Sequence, residues 1–182
     1  LGVVLRKTGV AAAIVNVLMR KIGVKTQKRA ILATMVSSVC LVTLLGTLAG
    51  ANAVIAPIVI PLVAAVGITP STLAIIFQGA GQTGLFLSPF SPPMVTLMGI
   101  TGLSYPRILV CAGIPIAIVM WIGTYLIAIK VQKDTQGKED FGTDVELPDG
   151  NFKVDPVTKR ATFTFVITMA VMVVYGIITK GG

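Results

Sequence analysis

Residues 78–93 read QGAGQTGLFLSPFSPP. In this stretch a glycine-rich motif leads directly into three prolines, which interrupt a long apolar segment. The motif GAGQTG, residues 79–84, matches the G-x-G-x-x-G pattern of dinucleotide-binding loops. Such a loop requires a strand before it, a helix after it and an acidic residue about 20 positions further on. Here a long apolar segment precedes the motif, and the next acidic residue is Asp134. No Gly-Lys-Ser/Thr sequence occurs either, so the motif does not predict a nucleotide site.

The glycines and the prolines of this stretch have separate structural interpretations. The three glycines of the motif would let a neighbouring helix approach closely, as small residues do between membrane helices. Ser71–Leu87 predicts a helix, and SPFSPP, residues 88–93, cannot continue it. Apolar sequence resumes and extends to Leu103, so residues 71–103 predict one discontinuous helix.

The composition is that of a membrane protein. Of the 182 residues 54% are hydrophobic and only 12% are charged, whereas soluble domains have about 25% charged residues. The mean hydropathy is +0.91. Between Ala30 and Ile129 the only charged residue is Arg107. The chain has no histidine, and Cys40 and Cys111 lie in apolar segments, which excludes a histidine zinc site and favours packed thiols.

The charged residues indicate which loops are cytoplasmic. Residues 20–29 include five basic residues and no acid, while the polar segment 130–160 holds all seven acids and has basic residues at both edges. Basic loops are retained in the cytoplasm, so both segments are predicted to be cytoplasmic loops of a multi-pass inner-membrane protein. The net charge of +8 does not indicate nucleic-acid binding, because the basic residues flank apolar segments instead of forming a stripe with aromatics.

Residues 30–66 predict a helical hairpin. One straight helix of this length would be much longer than the ~30 Å hydrocarbon core of a bilayer. We place the turn at Gly46–Asn52, GTLAGAN, which leaves limbs of ~24 Å for Ala30–Leu45 and ~21 Å for Ala53–Val66. Limbs this short favour a re-entrant hairpin that returns to the side it came from. Two short spanning helices are the alternative.

The remaining segments complete the predicted topology. SYPR, residues 104–107, is predicted to be a short turn, and residues 108–129 a spanning helix with aromatic anchors near its end. The polar segment 130–160 follows, and 161–182 predicts a final spanning helix, which the resemblance described below makes the first helix of the following repeat. The chain begins with Leu1 and stops directly after an apolar run, so we expect it to be a fragment of a longer protein.

The two interruptions, at the hairpin turn and at the helix break, form the candidate site. Irregular backbone at membrane depth is tolerated only inside protein or along a cavity. Its free carbonyl groups bind cations, and free helix N-termini attract anions. The candidate ion- and substrate-binding residues are Gly50, Asn52, Gln82, Thr83, Ser88, Ser91 and Pro92. Three of them, Asn52, Ser88 and Ser91, offer the oxygen ligands that a sodium ion prefers.

The order of these features resembles the ion transporter superfamily, in particular its sodium/proton antiporter and C4-dicarboxylate carrier branch. Residues 46–62, GTLAGANAVIAPIVIPL, resemble the family's hairpin tip and return limb, and residues 88–95, SPFSPPMV, resemble its Thr-Pro-Pro-Asn element. Residues 99–127, GITGLSYPRILVCAGIPIAIVMWIGTYLI, complete the resemblance. This sequence departs from the family where Gly50-Ala51-Asn52 replaces a Ser-Asn-Thr-type tip and Met94 replaces an asparagine.

This resemblance implies an all-α polytopic membrane protein with a re-entrant hairpin and a discontinuous helix, one inverted repeat of a secondary transporter. Residues 1–129 would form the repeat. The implied function is cation-coupled transport of a small carboxylate or amino acid, and not an enzymatic reaction. Expected partners are a small anionic or zwitterionic solute, the lipid bilayer and a second copy in a homodimer, with sodium or a proton as coupling ion and no other cofactor. A sodium/proton antiporter without organic substrate, and a channel or membrane scaffold, are the alternatives.

Overall fold

The computed structural model describes residues 10–142 and a few positions between 160 and 174. Every regular element in these ranges is helical, which confirms the all-α prediction for the part described. The predictions for residues 143–159 lie outside the described residues, as does most of the predicted helix 161–182. The helices are α1 (Val10–Ile22), α2 (Gln27–Leu45), α3 (Leu48–Ala64), α4 (Pro70–Leu87), α5 (Pro92–Thr101) and α6 (Tyr105–Thr135).

Helices α2 and α3 form a hairpin whose connection is shorter than predicted. Helix α2 ends at Gly46, which has a left-handed backbone (φ 67°) and donates its amide to the carbonyl of Val42. Only Thr47 separates this glycine from Leu48, the first residue of α3. The predicted turn Gly46–Asn52 is therefore too long. The turn is short because small residues such as Gly50 can lie in the first turn of α3. After Gly46 the sequence contains no further signal that would stop a helix.

Helix α4 begins and ends through local chemistry. Thr69 is the N-cap and accepts the amide of Thr72, and Pro70 occupies the first turn, where a missing N–H costs nothing. The helix stops at Leu87, and α5 starts at Pro92 with Ser91 as its N-cap. The break is thus limited to residues 88–91. Proline cannot continue a helix, so α4 ends before Pro89. Proline is tolerated in a first helical turn, so α5 can start at Pro92.

Helix α6 is longer than predicted at both ends. Residues 105–107, expected to lie in a turn, form its first helical turn, because Pro106 fits this position as Pro70 does in α4. Its other end extends to Thr135, so the first six residues of the predicted polar loop are helical. Lysine and glutamine are good helix formers and allow this extension. A π-type turn covers Leu109–Gly113 within the otherwise regular helix.

Within the part of the chain that the structure describes, two helices are long and apolar enough to cross a membrane, namely α2 with mean hydropathy 1.6 and α6 with mean hydropathy 2.1. At 1.5 Å per residue, α2 is ~28 Å long and α3 ~26 Å, so both limbs approach the ~30 Å core more closely than predicted. Such lengths suit two spanning helices as well as a re-entrant hairpin. The number of crossings and the cytoplasmic assignment of the loops stay predictions.

Helix α4 is the centre of the packing, with its largest contacts to α2 and α6. The glycines of GAGQTG lie within it and face different neighbours. A Cβ atom added at Gly84 would lie 2.8 Å from the carbonyl oxygen of Val39 in α2, and one at Gly79 would overlap Thr124 in α6. One at Gly81 would overlap Leu48 of α3. The motif is therefore helical and close-packed, as the packing interpretation expects, and it forms no strand–loop–helix unit.

Candidate solute and ion site

The hairpin turn and the helix break are in contact. A Cβ atom added at Gly46 would lie 3.1 Å from the carbonyl oxygen of Phe90, so only the absence of a side chain lets these segments approach so closely. Leu48 packs on Gly81 directly beside this contact. The two predicted interruptions, 40 residues apart in the chain, thus form one surface. The glycine at the turn is needed twice, for its positive φ and for this close approach.

The N-terminus of α3 lacks the side-chain cap that three other helices have. In α2, α4 and α5 the N-cap side chains of Thr26, Thr69 and Ser91 accept the backbone amides of Arg29, Thr72 and Met94. Thr47 of α3 makes no such hydrogen bond. The first amides of α3 therefore have no partner in the N-cap side chain, and a helix N-terminus of this kind attracts anions.

Gly50 and Asn52 lie in these first turns of α3. A Cβ atom at Gly50 would lie 2.6 Å from the Thr47 hydroxyl oxygen, so this glycine leaves room for the threonine side chain. The Oδ1 atom of Asn52 is buried and has no hydrogen-bond partner. A buried polar atom without a partner costs free energy of about 1–3 kcal/mol, which marks it for a ligand. The sequence prediction for Asn52 as an ion ligand is not tested by this geometry, but the oxygen is free.

Two serines of α2 share this property and were not predicted. Ser37 and Ser38 are fully buried, and neither hydroxyl oxygen has a hydrogen-bond partner. The Ser38 hydroxyl oxygen would lie 3.5 Å from a Cβ atom at Gly81, which places it at the glycine motif of α4. The only sequence signal was the pair of adjacent serines within an uncharged apolar helix.

The serines of the break have their hydroxyl groups engaged by backbone. The Ser88 hydroxyl accepts the amide of Phe90 at 3.3 Å. The Ser91 hydroxyl lies 2.6 Å from the carbonyl oxygen of Leu85 and 3.1 Å from that of Ser88, and it accepts the amide of Met94 at 3.4 Å. These contacts hold the break in shape. Sodium ligation by the two serines stays a prediction.

The start of α5 offers few amides to an anion. Pro92 and Pro93 have no N–H group, and the amides of Met94 and Val95 bond to the side chain and the carbonyl of Ser91. Pro92 therefore shapes the break instead of binding a ligand through its backbone amide. Of the two helix N-termini at the candidate site, the one of α3 is the better anion site.

Gln82 and Thr83 lie earlier on α4 and not at the break itself. Thr83 is buried and donates its hydroxyl proton to the carbonyl of Gly79 at 3.1 Å, so its polar group is satisfied within its own helix. Gln82 is half-buried. The structure thus places Ser88, Ser91 and Pro92 at the break or directly after it, Gly50 and Asn52 in the first turns of α3, and the other two candidates along the α4 helix.

Two further residues reach the end of α4 from neighbouring helices. Thr43 of α2 donates its hydroxyl proton to the carbonyl of Gly84 at 3.2 Å, and Tyr105 of α6 donates its proton to that of Leu87 at 2.8 Å. The sequence prediction missed both, because Tyr105 was assigned to a turn and Thr43 to the apolar limb. Neither position carries a local motif.

The site is neutral throughout. Within residues 10–142, no three His, Cys, Asp or Glu side chains are grouped as a metal site would require. The groups available at the meeting of turn and break are amide and hydroxyl oxygens, backbone carbonyls and backbone amides. Such a set can bind an ion or a polar solute by coordination and hydrogen bonding, and it includes no carboxylate.

Comparison with known proteins gives one family. The model of the family described as "Tripartite ATP-independent periplasmic transporter, DctM component" matches residues 1–181. No match was found among curated proteins or among solved structures. A match over nearly the whole chain confirms the prediction of a transporter family, while the particular superfamily branch stays a prediction.

Proposed function

We propose, since the chain belongs to the family of the DctM component of tripartite ATP-independent periplasmic transporters, that it is part of a cation-coupled secondary transporter. The family is one of transporter components and not of enzymes. A transporter that works without ATP needs another energy source, and an ion gradient is the one that a secondary transporter uses. The solute we propose is a small carboxylate or amino acid carried across the inner membrane by alternating access.

The contact between the hairpin turn and the helix break carries this proposal. It joins the end of the turn to the irregular backbone of the break, and α3, which follows the turn, has an uncapped N-terminus and the free Oδ1 atom of Asn52. The amides suit a carboxylate group, and the amide oxygen with nearby carbonyls suits a sodium ion. One site thus offers groups for both ligands without a fixed carboxylate. In transporters of this type such sites lie between broken helices.

The family name also suggests partners. It describes a system of three parts with a periplasmic location, so we propose that the chain acts with two further components. The lipid bilayer surrounds the exposed apolar face of α6, which includes Val110, Val119 and Leu126. A homodimer stays part of the proposal.

Uptake by the intact transporter tests the function. The protein, with its partner components, is placed in proteoliposomes, and sodium and proton gradients are imposed separately against a panel of dicarboxylates and amino acids. We expect uptake of one solute class that depends on a cation gradient. Proton movement on addition of sodium, without any organic solute, would show a sodium/proton antiporter instead. Solute flux that follows only its own gradient would indicate a channel.

Asn52→Ala tests the site within the same assay. Removal of the amide oxygen should raise the half-saturating sodium concentration by about tenfold, the loss expected for one ligand worth about 1.4 kcal/mol. Thermal stability should not fall, because the oxygen has no partner to lose. Asn16→Ala, in α1, is the matched control and should leave sodium dependence unchanged. Sodium dependence equal to that of the wild type in Asn52→Ala would remove the residue from the site.

A further inference from the structure

The last carbonyl groups of α4 are held by hydroxyl groups from three other segments. The final four carbonyls of a helix have no amide of their own helix to accept. Here the carbonyl of Gly84 accepts from Thr43 of α2, that of Leu85 from Ser91 at the start of α5, and that of Leu87 from Tyr105 of α6. The end of the helix beside the candidate site is therefore anchored to its surroundings on several sides.

The hydroxyl of Thr43 bonds to another helix, unlike the hydroxyls of Thr34 and Thr101. Thr34 and Thr101 each donate to the carbonyl four residues earlier in their own helix. Thr43 instead donates to Gly84, 41 residues away. A threonine in a helix can always satisfy its hydroxyl locally. The long-range bond therefore reflects how closely α2 approaches the end of α4.

A glycine makes each of the two long-range approaches possible. A Cβ atom at Gly84 would lie 2.8 Å from both the Val39 carbonyl oxygen and the Val42 Cβ atom, so a larger residue would push α2 away. A Cβ atom at Gly113 of α6 would lie 2.8 Å from the Phe86 carbonyl oxygen. The two glycines thus bring α2 against Gly84 and α6 against Phe86, two positions apart at the same helix end.

We propose that Thr43 and Tyr105 are positioning residues that fix the α4 carbonyls at the break and thereby set the affinity for the coupling ion. The inference rests on the proposed function. A carbonyl oxygen has two lone pairs, so a hydroxyl can hold it in place and leave the second pair for a cation. Neither side chain is itself a ligand in this proposal. Both act through the orientation of the backbone between Gly84 and Phe90.

Sodium titrations of transport by the intact protein test this role. Tyr105→Phe and Thr43→Val each remove one hydroxyl with little change of shape. We expect the half-saturating sodium concentration to rise about threefold to tenfold, the range for one hydrogen bond, with the maximal rate retained. Tyr125→Phe on α6 and Thr101→Val on α5 are matched controls and should behave as wild type. Unchanged half-saturation in both test variants, or a lowered maximal rate alone, would overturn the proposal.

Amide hydrogen exchange tests the same role without reference to transport. The amides of Phe90 and Met94 bond to Ser88 and Ser91 and report directly on the order of the break. In Tyr105→Phe we expect these amides to exchange about tenfold faster while the rest of α4 is unaffected. Equal exchange in variant and wild type, or faster exchange throughout all helices, would overturn the positioning role. If the wild type shows no cation-driven uptake, the proposed function fails, and the exchange rates of Tyr105→Phe still decide whether Tyr105 orders the break.

Discussion

The two ends of α4 are held in different ways. At its N-terminus, the Gln132 side chain accepts the Thr69 amide at 3.1 Å and donates to the Gly67 carbonyl at 2.7 Å. The Glu139 carboxylate accepts both the amide and the hydroxyl of Ser71. At the C-terminus, by contrast, neutral hydroxyl groups of Thr43, Ser91 and Tyr105 meet the carbonyls. Amide and carboxylate side chains, together with the Thr135 hydroxyl, fasten the first end, and neutral hydroxyl groups fasten the second.

We interpret the N-terminal end of α4 as fixed and its C-terminal end as able to respond to a bound ion. Hydrogen bonds that involve a charged group are worth about twice as much as neutral ones. A paired amide such as that of Gln132 also satisfies a donor and an acceptor at once. The break carries weaker, neutral bonds and lies at the candidate site, where a bound ion would share the carbonyls that the hydroxyl groups hold. We therefore expect substitutions at the first end to affect stability, and those at the second to affect ion dependence.

The largest effect is expected from Gln132→Leu. Gln132 and Thr69 are both only 3% exposed, so the change leaves the Thr69 amide without a partner and leaves the Gly67 carbonyl with only the longer bond from Gln27. The loss of stability should be about 2–5 kcal/mol, measured by thermal unfolding of the purified protein in detergent. Gln136→Leu, at an exposed position on the same segment, is the control. A loss below about 1 kcal/mol would show that this end is not the fixed one.

A smaller effect is expected from Gly84→Ala at the other end. The added methyl group meets the Val39 carbonyl and the Val42 side chain, so α2 must move away and Thr43 loses its bond to Gly84. The destabilisation should be about 1–3 kcal/mol. Gly99→Ala in α5 is the matched control, because a Cβ atom there meets nothing within 4 Å and alanine is the better helix former. Equal stability of the two variants would contradict the close approach of α2.

The smallest effect is expected from Glu139→Gln. Glutamine can still accept a hydrogen bond from Ser71, but the negative charge at the helix N-terminus is lost. We expect a loss of about 0.3–1 kcal/mol that shrinks at high salt, since exposed charge interactions are screened. Unfolding temperatures at low and high salt measure it, with Asp140→Asn beside it as control. A loss independent of salt would show that hydrogen-bond geometry, and not charge, fastens this end.

Local chemistry allowed much of the fold to be predicted from sequence. Thr69-Pro70 starts a helix and the prolines after Leu87 end it through effects that act within a few residues. The same local reasoning failed at SYPR, because proline suits both a turn and a first helical turn. The neutral, oxygen-rich character of the site also followed from the sequence.

What the sequence could not predict depends on contacts between distant residues. The bond of Gln132 to Gly67 joins residues 65 positions apart, and no local pattern marks either residue. The position of Tyr105 at the end of α4 likewise follows from how α6 packs. The physics of irregular backbone in a membrane predicts that turn and break share one site, but their close approach at Gly46 appears only in three dimensions.

The π-type turn of α6 changes the directions in which residues on either side of it point around the helix axis. Gly113, Thr124 and Gln132 all contact α4 or the loop before it. In a regular helix, Tyr105 would point about 80° away from Gly113, because eight residues exceed two full turns by that angle. The wider turn at Leu109–Gly113 rotates less per residue and reduces this offset, so that Tyr105 and Gly113 face the same neighbour. The extra residue of that turn acts as an angular correction, without which one helix could not follow α4 from end to end.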